Sequence, residues 1–402
     1  MSARRYALFG LAGLCFVLGA YLTLCRLLGL PLLEHSVYDS YTLQALAWLD
    51  GRIDIVGEYP YLEIAIFNAR QYISFPPFPS LVMLPLAMIF GEATPSRLVS
   101  MVFFLGSYCV GFSMAKKARL TPVWAMLAAA FLVTGANIME YGLYGGVWNL
   151  AQVLAFFLTL CAFRLIMNRD RLSLYLSLIF IAFAVGCRPF QALYAPCLAL
   201  FAFERAAPQG ASFARRARAF APMLIAPLLF AFALGAYNFA RFGNPFEFGH
   251  NYLPEFQYQS EHGQFSFAYV AKNLKNVMRL PWIESGRLTF PRDSGFAFYL
   301  CNPMFIIFAT AMARAVLRRE ATWREWIIAC AVIIHFFLLM THKSLGGVQF
   351  GVRYLCDLIG AMYAVWMVHA RRPGRALGAC WVIFMLGGMA INLYGAWWFH
   401  AL

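Results

Sequence analysis

The sequence predicts an all-α protein that crosses a membrane many times. Of its 402 residues, 62% are hydrophobic and only 12% are charged, too few charges to cover a water-soluble protein of this size. Apolar runs of about 20 residues, the length that a helix needs to cross a bilayer, recur along the chain. Short basic clusters separate these runs, as in the cytoplasmic loops of membrane proteins. The net charge of +14 therefore indicates membrane topology, and no nucleic-acid partner is expected.

The apolar segments divide the chain into successive spans of one transmembrane domain, residues 1–402. The first segment, residues 6–28, is long and has no good small-residue cleavage site near Cys25, so a retained span is favoured over a signal peptide. The later segments lie near residues 97–115, 121–137, 147–168, 172–187, 189–204, 219–240, 299–316, 326–341, 352–369 and 376–398.

The apolar run at 75–90 is the least regular of these elements. It is short and carries Pro76, Pro77, Pro79 and Pro85, each of which lacks the backbone N–H that a helix interior uses. The basic clusters on either side require an even number of crossings between residues 29 and 97. We expect a short, broken element, either a re-entrant hairpin or a full crossing beside a loop that breaks the charge rule.

The loops opposite the basic clusters are where function is expected, because loops carry chemistry more often than spans do. The first of them covers residues 29–75 and the longest covers 241–298. Within the longest loop, a helix is predicted over 267–283, where Lys272, Lys275 and Arg279 share one face. Such a basic stripe is typical of a helix that lies at the height of the lipid headgroups.

A carboxylate just outside the first span is the leading catalytic candidate. Asp39 lies in the stretch Ser36-Val37-Tyr38-Asp39-Ser40-Tyr41. Partial shielding from water raises the pKa of a carboxyl group, which suits a general base at neutral pH. A structural role is the alternative: Ser36 could cap a helix with Asp39 at its third position. Asp50, eleven residues later, would lie on the same helical face.

This arrangement resembles a known family of membrane enzymes. The first span, Asp39 and the stretch Ala47-Trp48-Leu49-Asp50-Gly51-Arg52 are similar to polyprenyl-phosphate-sugar-dependent glycosyltransferases of the GT-C fold. The nearest resemblance is to the bacterial relatives of protein O-mannosyltransferases and lipid A aminoarabinose transferases. Three further similar stretches lie at 75–79, 237–245 and 351–357. Family members often have Asp-Glu at the catalytic position, whereas this chain has Asp39-Ser40.

The resemblance implies a GT-C-like bundle of about 11–13 transmembrane helices, with extracytoplasmic interfacial helices in the first and longest outer loops. It implies an inverting glycosyltransferase at the outer face of a bacterial inner (plasma) membrane. Asp39 would take a proton from the acceptor hydroxyl while the sugar leaves a polyprenyl-phosphate donor. The acceptor could be a lipid, a glycan or a protein, and neither a cofactor nor a metal is expected.

The remaining candidate residues follow from this chemistry. The leaving phosphate gains negative charge and needs cations or hydrogen-bond donors. The donor-phosphate candidates are Arg353, Arg188, Lys343, Lys272, Lys275 and Arg279, although an arginine at a span end can also be an interfacial anchor. The sugar or acceptor candidates are His250, Glu247, Tyr252, Trp282, Asp50 and Glu140.

Two other functions remain open from the residues. A transporter or flippase of lipid-linked saccharide would place charged residues near the middle of its spans, where this chain is almost entirely apolar. A non-catalytic assembly factor would be indifferent to Asp39→Asn. The sequence lacks a phosphate-binding P-loop, a dinucleotide fingerprint and a metal-ligand cluster, so a lipid-phosphate donor is favoured over a nucleotide sugar.

Overall fold

The computed structural model describes residues 3–259, 261–371 and 373–401, and these residues are mostly helical. The α-helices are α1 Ala3–Leu27, α2 Ser40–Leu49, α3 Phe78–Phe90, α4 Ser96–Lys117, α5 Pro122–Thr134, α6 Ile138–Gly142, α7 Val147–Ile166, α8 Arg171–Val185, α9 Ala195–Arg205, α10 Phe213–Phe220, α11 Ile225–Phe242, α12 Val270–Met278, α13 Phe298–Cys301, α14 Met304–Leu317, α15 Trp323–Met340, α16 Cys356–His369 and α17 Arg375–Ala401.

Within these described ranges, six helical stretches are long and apolar enough to cross a membrane, which confirms the predicted class. They are α1, α4, α7, α10 together with α11, α15 and α17. Shorter apolar helices, among them α3, α5, α8 and α14, lie between them. The predicted total of about 11–13 spans is reached only if most of the short helices also cross.

The element predicted at 75–90 is a single helix and not a re-entrant hairpin. α3 has 13 residues, with Pro79 in its first turn and Pro85 inside it. At 1.5 Å per residue it is about 20 Å long, shorter than the hydrocarbon core of about 30 Å. Before it, strands β1 (Ile64–Phe67) and β2 (Arg70–Ile73) form an antiparallel hairpin, which was not predicted from the sequence.

The helix predicted over 267–283 is longer than the helix in the structure, α12, which covers Val270–Met278. α12 ends at Met278, and Pro281, which has no backbone N–H to donate, comes three residues later. The chain then forms a second antiparallel hairpin from β3 (Trp282–Glu284) and β4 (Arg287–Thr289). Trp282 therefore lies on a strand.

The centre of the bundle is formed by α7 and α16. α7 packs against α4, α8 and α16, and α16 also packs against α14 and α15. Both helices bury most of their side chains, including the fully buried Trp366. α7 begins at Val147 and ends at Ile166, so its 20 residues separate the two ends of the bundle by about 30 Å.

A buried asparagine ties several elements together behind the loop that precedes α16. The Asn137 side-chain oxygen accepts hydrogen bonds from Asn302 Nδ2 at 2.7 Å and from the Val352 backbone N–H at 3.2 Å. Asn137 Nδ2 donates to Asn392 Oδ1 in α17 at 3.3 Å. Tyr141 donates to the Phe350 carbonyl at 2.9 Å. We call this group the Asn137 cluster.

Candidate functional site

One cavity lies at the end of the bundle where α7 begins. Its volume is about 450 Å³, and its walls come from residues between 41 and 76, the start of α7, the turn after α8 and the loops that follow α11 and α15. Its polar or charged lining residues include Tyr41, Glu63, Ser74, Arg188, His250, Gln264, His342, Ser344, Arg353 and Tyr354. The remainder is largely aromatic, including Phe75, Trp148, Phe190, Phe246, Phe248, Phe256 and Phe265. The cavity wall therefore combines charged side chains with the apolar faces of aromatic rings.

Arg353 lines this cavity, and among the described residues no carboxylate is hydrogen-bonded to its guanidinium group. Its backbone N–H donates to Gln349 Oε1 at 3.0 Å, and its guanidinium lies 5.4 Å from the centre of the Tyr354 ring. Among the described residues, its buried Nε has no hydrogen-bond partner. A buried polar group without a partner is costly, so this guanidinium is suited to an anion that enters the cavity.

Arg188 supplies a second guanidinium, and the fold holds it in place. Its Nε donates to both carboxylate oxygens of Asp357, at 2.8 and 3.1 Å. Gln152 also donates to Asp357, at 2.6 Å, and the guanidinium lies 4.8 Å from the Tyr354 ring centre. The ion pair is made through Nε and not through the two terminal nitrogens. Arg188 is thus oriented by Asp357 while it lines the cavity.

Glu63 is the carboxylate among the described lining residues, and it was not among the residues predicted from the sequence. It directly precedes β1, and its carbonyl accepts a hydrogen bond from Ser74. Burial raises the pKa of the Glu63 carboxyl, and the Trp148 indole and Arg353 partly offset that rise. No sequence signal marked Glu63, because the hairpin that brings residue 63 back to the cavity was not predicted.

Asp39 has a different structural position from the one expected. It is itself the N-cap of α2, so the alternative with Ser36 as the cap is wrong. Its Oδ1 accepts from the Thr42 backbone N–H at 3.1 Å, and its Oδ2 accepts from Thr42 Oγ1 at 2.5 Å. Burial raises its pKa to about 6 from an ordinary 3.8, against the opposing effect of the Thr42 hydrogen bonds. Asp39 is absent from the described cavity lining, although Tyr41, two residues later, is part of it.

Two histidines form part of the cavity wall and are neutral at physiological pH. The His250 and His342 rings lie 5.6 Å apart and are nearly parallel. Burial lowers the pKa of His250 to about 3, with smaller contributions from His342 and Lys343. Burial also lowers the pKa of His342 to about 4. His250 thus lines the cavity as an uncharged hydrogen-bonding group, and its role in binding a sugar or acceptor stays a prediction.

Four of the cations predicted for phosphate binding are not among the described lining residues of the cavity. Lys343 is buried next to it, and its backbone N–H donates to the Gln264 carbonyl at 2.9 Å. Lys272 and Lys275 are exposed on α12. Arg279 donates to the backbone carbonyls of Asp293 and Gly295, a role in holding its loop. The basic stripe is therefore a surface feature in this conformation.

Most of the predicted sugar-binding residues also contact other parts of the protein. Glu247 accepts from the Gly249 N–H and from Asn251, both at 2.6 Å, and so shapes its own loop. Tyr252 packs between Phe67 and Phe242.

The other three predicted sugar-binding residues are separate from the cavity lining as well. Asp50 caps the end of α2 and pairs with Arg52 at the surface. Trp282 is 45% exposed on β3. Glu140 is buried, and its Oε1 lies 3.0 Å from His400 Nε2.

Comparison with known proteins gives similarity at the level of structure. No protein-family model and no curated protein matches the chain. The structure of ArnT from Cupriavidus metallidurans bound to undecaprenyl phosphate is similar over 97% of this chain, with 15% identity and a TM-score of 0.54. ArnT in the apo state is similar over 92%, with 14% identity and a TM-score of 0.50. The oligosaccharyltransferase of Archaeoglobus fulgidus in the apo form is similar over 96%, with 12% identity and a TM-score of 0.48.

The similarity covers the larger part of these proteins but not their whole length. The matched region corresponds to 64% and 61% of the two ArnT chains and to 56% of the archaeal chain. The chain therefore spans less than two thirds of the length of ArnT. At these identities the similarity concerns the arrangement of helices and not particular residues. The protein has a GT-C-type membrane fold, as the sequence resemblance implied.

Proposed function

We propose that the protein is a glycosyltransferase that moves a sugar from a polyprenyl-phosphate donor to an acceptor hydroxyl group in the cavity. The observation that carries this proposal is the Arg353 guanidinium, which has no hydrogen-bonded carboxylate among the described residues, in a cavity that also contains a half-buried carboxylate, Glu63. This combination suits a reaction in which an anionic phosphate leaves while a base removes a proton. The GT-C-type fold supports the same reaction class.

Arg353 and Arg188 would contact the donor phosphate. Arg353 would form charge-assisted hydrogen bonds that also stabilise the negative charge developing on the leaving group. Arg188, kept in orientation by Asp357, would present its planar guanidinium to a second phosphate oxygen. The aromatic side chains of the wall, such as Trp148, would stack on the sugar.

Asp39 is the proposed base, and Glu63 is the second candidate for that role. The family resemblance and a pKa of about 6 support Asp39, since a carboxyl group with this pKa is mostly ionised at pH 7 and is still basic. Its action requires the carboxylate to exchange its Thr42 hydrogen bonds for the acceptor hydroxyl. Glu63 already lines the cavity, which is the observation in its favour.

We place the reaction at the extracytoplasmic face of a bacterial inner membrane. The cavity lies at the start of α7, whereas Arg164, Arg169 and Arg171 lie at or beyond its other end. By the positive-inside rule, the arginine-rich end faces the cytoplasm. The cavity then opens on the opposite side, where a polyprenyl-phosphate sugar and a lipid, glycan or protein acceptor would meet.

The donor site can be tested with undecaprenyl phosphate as the probe. Binding to the purified protein in neutral detergent is measured for wild type, Arg353→Gln and a matched control, Arg287→Gln on the exposed strand β4. Loss of a charge-assisted contact should weaken the affinity of Arg353→Gln by about 10- to 100-fold. The control should bind like wild type. Equal affinity in all three proteins would contradict the assignment of Arg353 to the phosphate.

Activity is tested by sugar transfer from polyprenyl-phosphate donors to a mixture of envelope lipids and glycans. Transfer by wild type and its loss in Arg353→Gln at equal folded yield would support the enzyme. If undecaprenyl phosphate bound through Arg353 but moved across a vesicle membrane without any sugar transfer, a lipid-carrier function would replace the proposed enzyme.

A further inference from the structure

A second cavity lies at the opposite end of the bundle, close to where α7 ends. Its volume is about 370 Å³, and it lies between the turn that follows α7, the end of α9, the start of α10 and the start of α15. One acidic side chain, Glu204, and four arginines line it. The arginines are Arg169, Arg205, Arg216 and Arg324. We call this cavity the arginine pocket, and it is separate from the candidate active site.

The contacts within the pocket do not balance its charge. Arg324 forms an ion pair with Glu204 through two nitrogens, one of them at 3.1 Å from Oε2, and Glu204 is the one acidic group among the described lining residues. Arg216 donates to the Glu204 carbonyl at 3.0 Å, and Arg205 donates to the Ile166 carbonyl. Arg169 is exposed and has no hydrogen bond to the described residues. Within the part of the chain that the structure describes, the other three arginines of the pocket thus have no carboxylate partner.

Like charges held this close together repel one another, and an anion between them would remove that repulsion. Guanidinium groups pair with phosphate through parallel N–H···O bonds, and phosphate oxygens offer enough acceptors for several arginines. Backbone carbonyls orient Arg205 and Arg216 but leave their charge unneutralised. The lining chemistry therefore selects a compact anion with several oxygens.

The surroundings indicate that such an anion can come from the membrane surface. α10 presents arginines together with Phe213, whose side chain is 76% exposed, as in a helix that lies in the headgroup layer. Trp323 and Trp326, at the start of α15, are 44% and 48% exposed and match the aromatic belt of membrane proteins. These side chains match a pocket at headgroup height, beside a helix that continues into the apolar α11, few of whose residues are buried.

We propose that the arginine pocket binds a phosphate group, with a lipid headgroup as its expected source. The site lies about 30 Å from the candidate active site along α7, so this proposal does not depend on the proposed enzyme activity. A lipid bound there would join α9, α10 and α15 through one shared anion.

The test measures stabilisation of the full-length protein in neutral detergent by two probes, short-chain phosphatidic acid and inorganic phosphate. Ligand that binds the folded state raises its melting temperature in a saturable way. Arg169→Gln removes a charge that makes no internal hydrogen bond, so it should leave the fold unchanged and raise the half-saturating concentration about 10-fold. Arg318→Gln, an exposed residue outside the pocket with the same loss of charge, is the control.

Each outcome decides the proposal. A response to both probes that weakens in Arg169→Gln and not in Arg318→Gln supports binding of phosphate as such. A response to phosphatidic acid alone, with the same dependence on Arg169, supports the lipid headgroup as the source. Equal responses of the two variants would mean non-specific attraction and would overturn the proposal, as would no response to either probe. Repeating the titration in Arg353→Gln removes any contribution of the other cavity.

Discussion

Asp39→Asn separates a capping role of this residue from a catalytic one. Asparagine caps helices about as well as aspartate, so the variant keeps the hydrogen bond from the Thr42 N–H. Its side-chain amide can donate to Thr42 Oγ1, which now donates to the carboxylate. The variant loses only the carboxyl group that can take up and release a proton. A helix cap would tolerate this change, and a general base would not.

The effect on stability follows from the direction of the pKa shift. Burial raises the pKa of the folded-state carboxyl above its ordinary value of 3.8, to about 6. The folded state therefore favours the protonated carboxyl group. The contribution of this group to the free energy of unfolding is complete below pH 3.8 and is lost as the pH rises through 6. At pH 7, the difference between the two pKa values corresponds to a free-energy cost of about 3 kcal/mol for burying the ionised carboxylate. Asparagine avoids this cost, so we expect Asp39→Asn to be more stable by up to about 3 kcal/mol at pH 7.

The assay compares unfolding in detergent at pH 4 to 8 for wild type and Asp39→Asn. The gain in stability should reach a plateau at pH 7 to 8 and be nearly lost at pH 4. Asp170→Asn is the matched control, because Asp170 caps α8 through Ser173 in the same way but is exposed. The backbone hydrogen bond from Ser173 lowers the pKa of Asp170, so its replacement should reduce stability at pH 7 and have a smaller effect at low pH.

Catalysis should change in the opposite direction from stability. If Asp39 is the base, Asp39→Asn should lower the transfer rate by about 10²- to 10⁴-fold, and the wild-type rate should rise with pH through about 6. Parallel stability curves for wild type and Asp39→Asn would refute the burial argument. A variant that transfers sugar at the wild-type rate would leave Asp39 as a helix cap only.

Two further predictions concern the cavity wall. Glu63→Gln should reduce transfer less than about 10-fold if Asp39 is the base; a loss of 10²-fold or more in this variant, with Asp39→Asn active, would assign proton removal to Glu63. Asp357→Asn should destabilise the protein by about 3–5 kcal/mol, measured by unfolding in detergent, because it leaves the Arg188 guanidinium, whose side chain is only 18% exposed, without its charged partner. Glu204→Gln, in the more exposed pair with Arg324, should cost about 1 kcal/mol or less, and similar losses in the two variants would contradict this reasoning.

The sequence was sufficient to predict the fold class because its signals are long and repeated. Apolar runs and basic clusters predicted the membrane bundle, and the stretch around Asp39 indicated the fold type. The prediction was least accurate where short elements follow prolines. α3 is a continuous helix despite Pro85, and the chain after Pro281 turns into a hairpin and not a longer helix. These outcomes depend on packing that no local pattern contains.

The site was predicted only in part for a related reason. Arg188, His250 and Arg353 do line one cavity, although they are far apart in sequence, and each stood beside a turn or a span end. Glu63 was missed because its position depends on pairing between β1 and β2. Lys272 and Lys275 share a helical face as predicted, but periodicity alone does not specify which surface that face meets.

The Asn137 cluster has a consequence for how a substrate reaches the cavity. It anchors the backbone at Val352, immediately before Arg353, to α17 through Asn392, and the Tyr141 bond to Phe350 adds a second attachment. This side of the cavity therefore cannot swing outward as a lid without breaking several buried hydrogen bonds at once. We therefore expect the donor of the proposed enzyme to enter where the cavity wall is more exposed, at the segment that contains Phe246, whose side chain is 87% exposed.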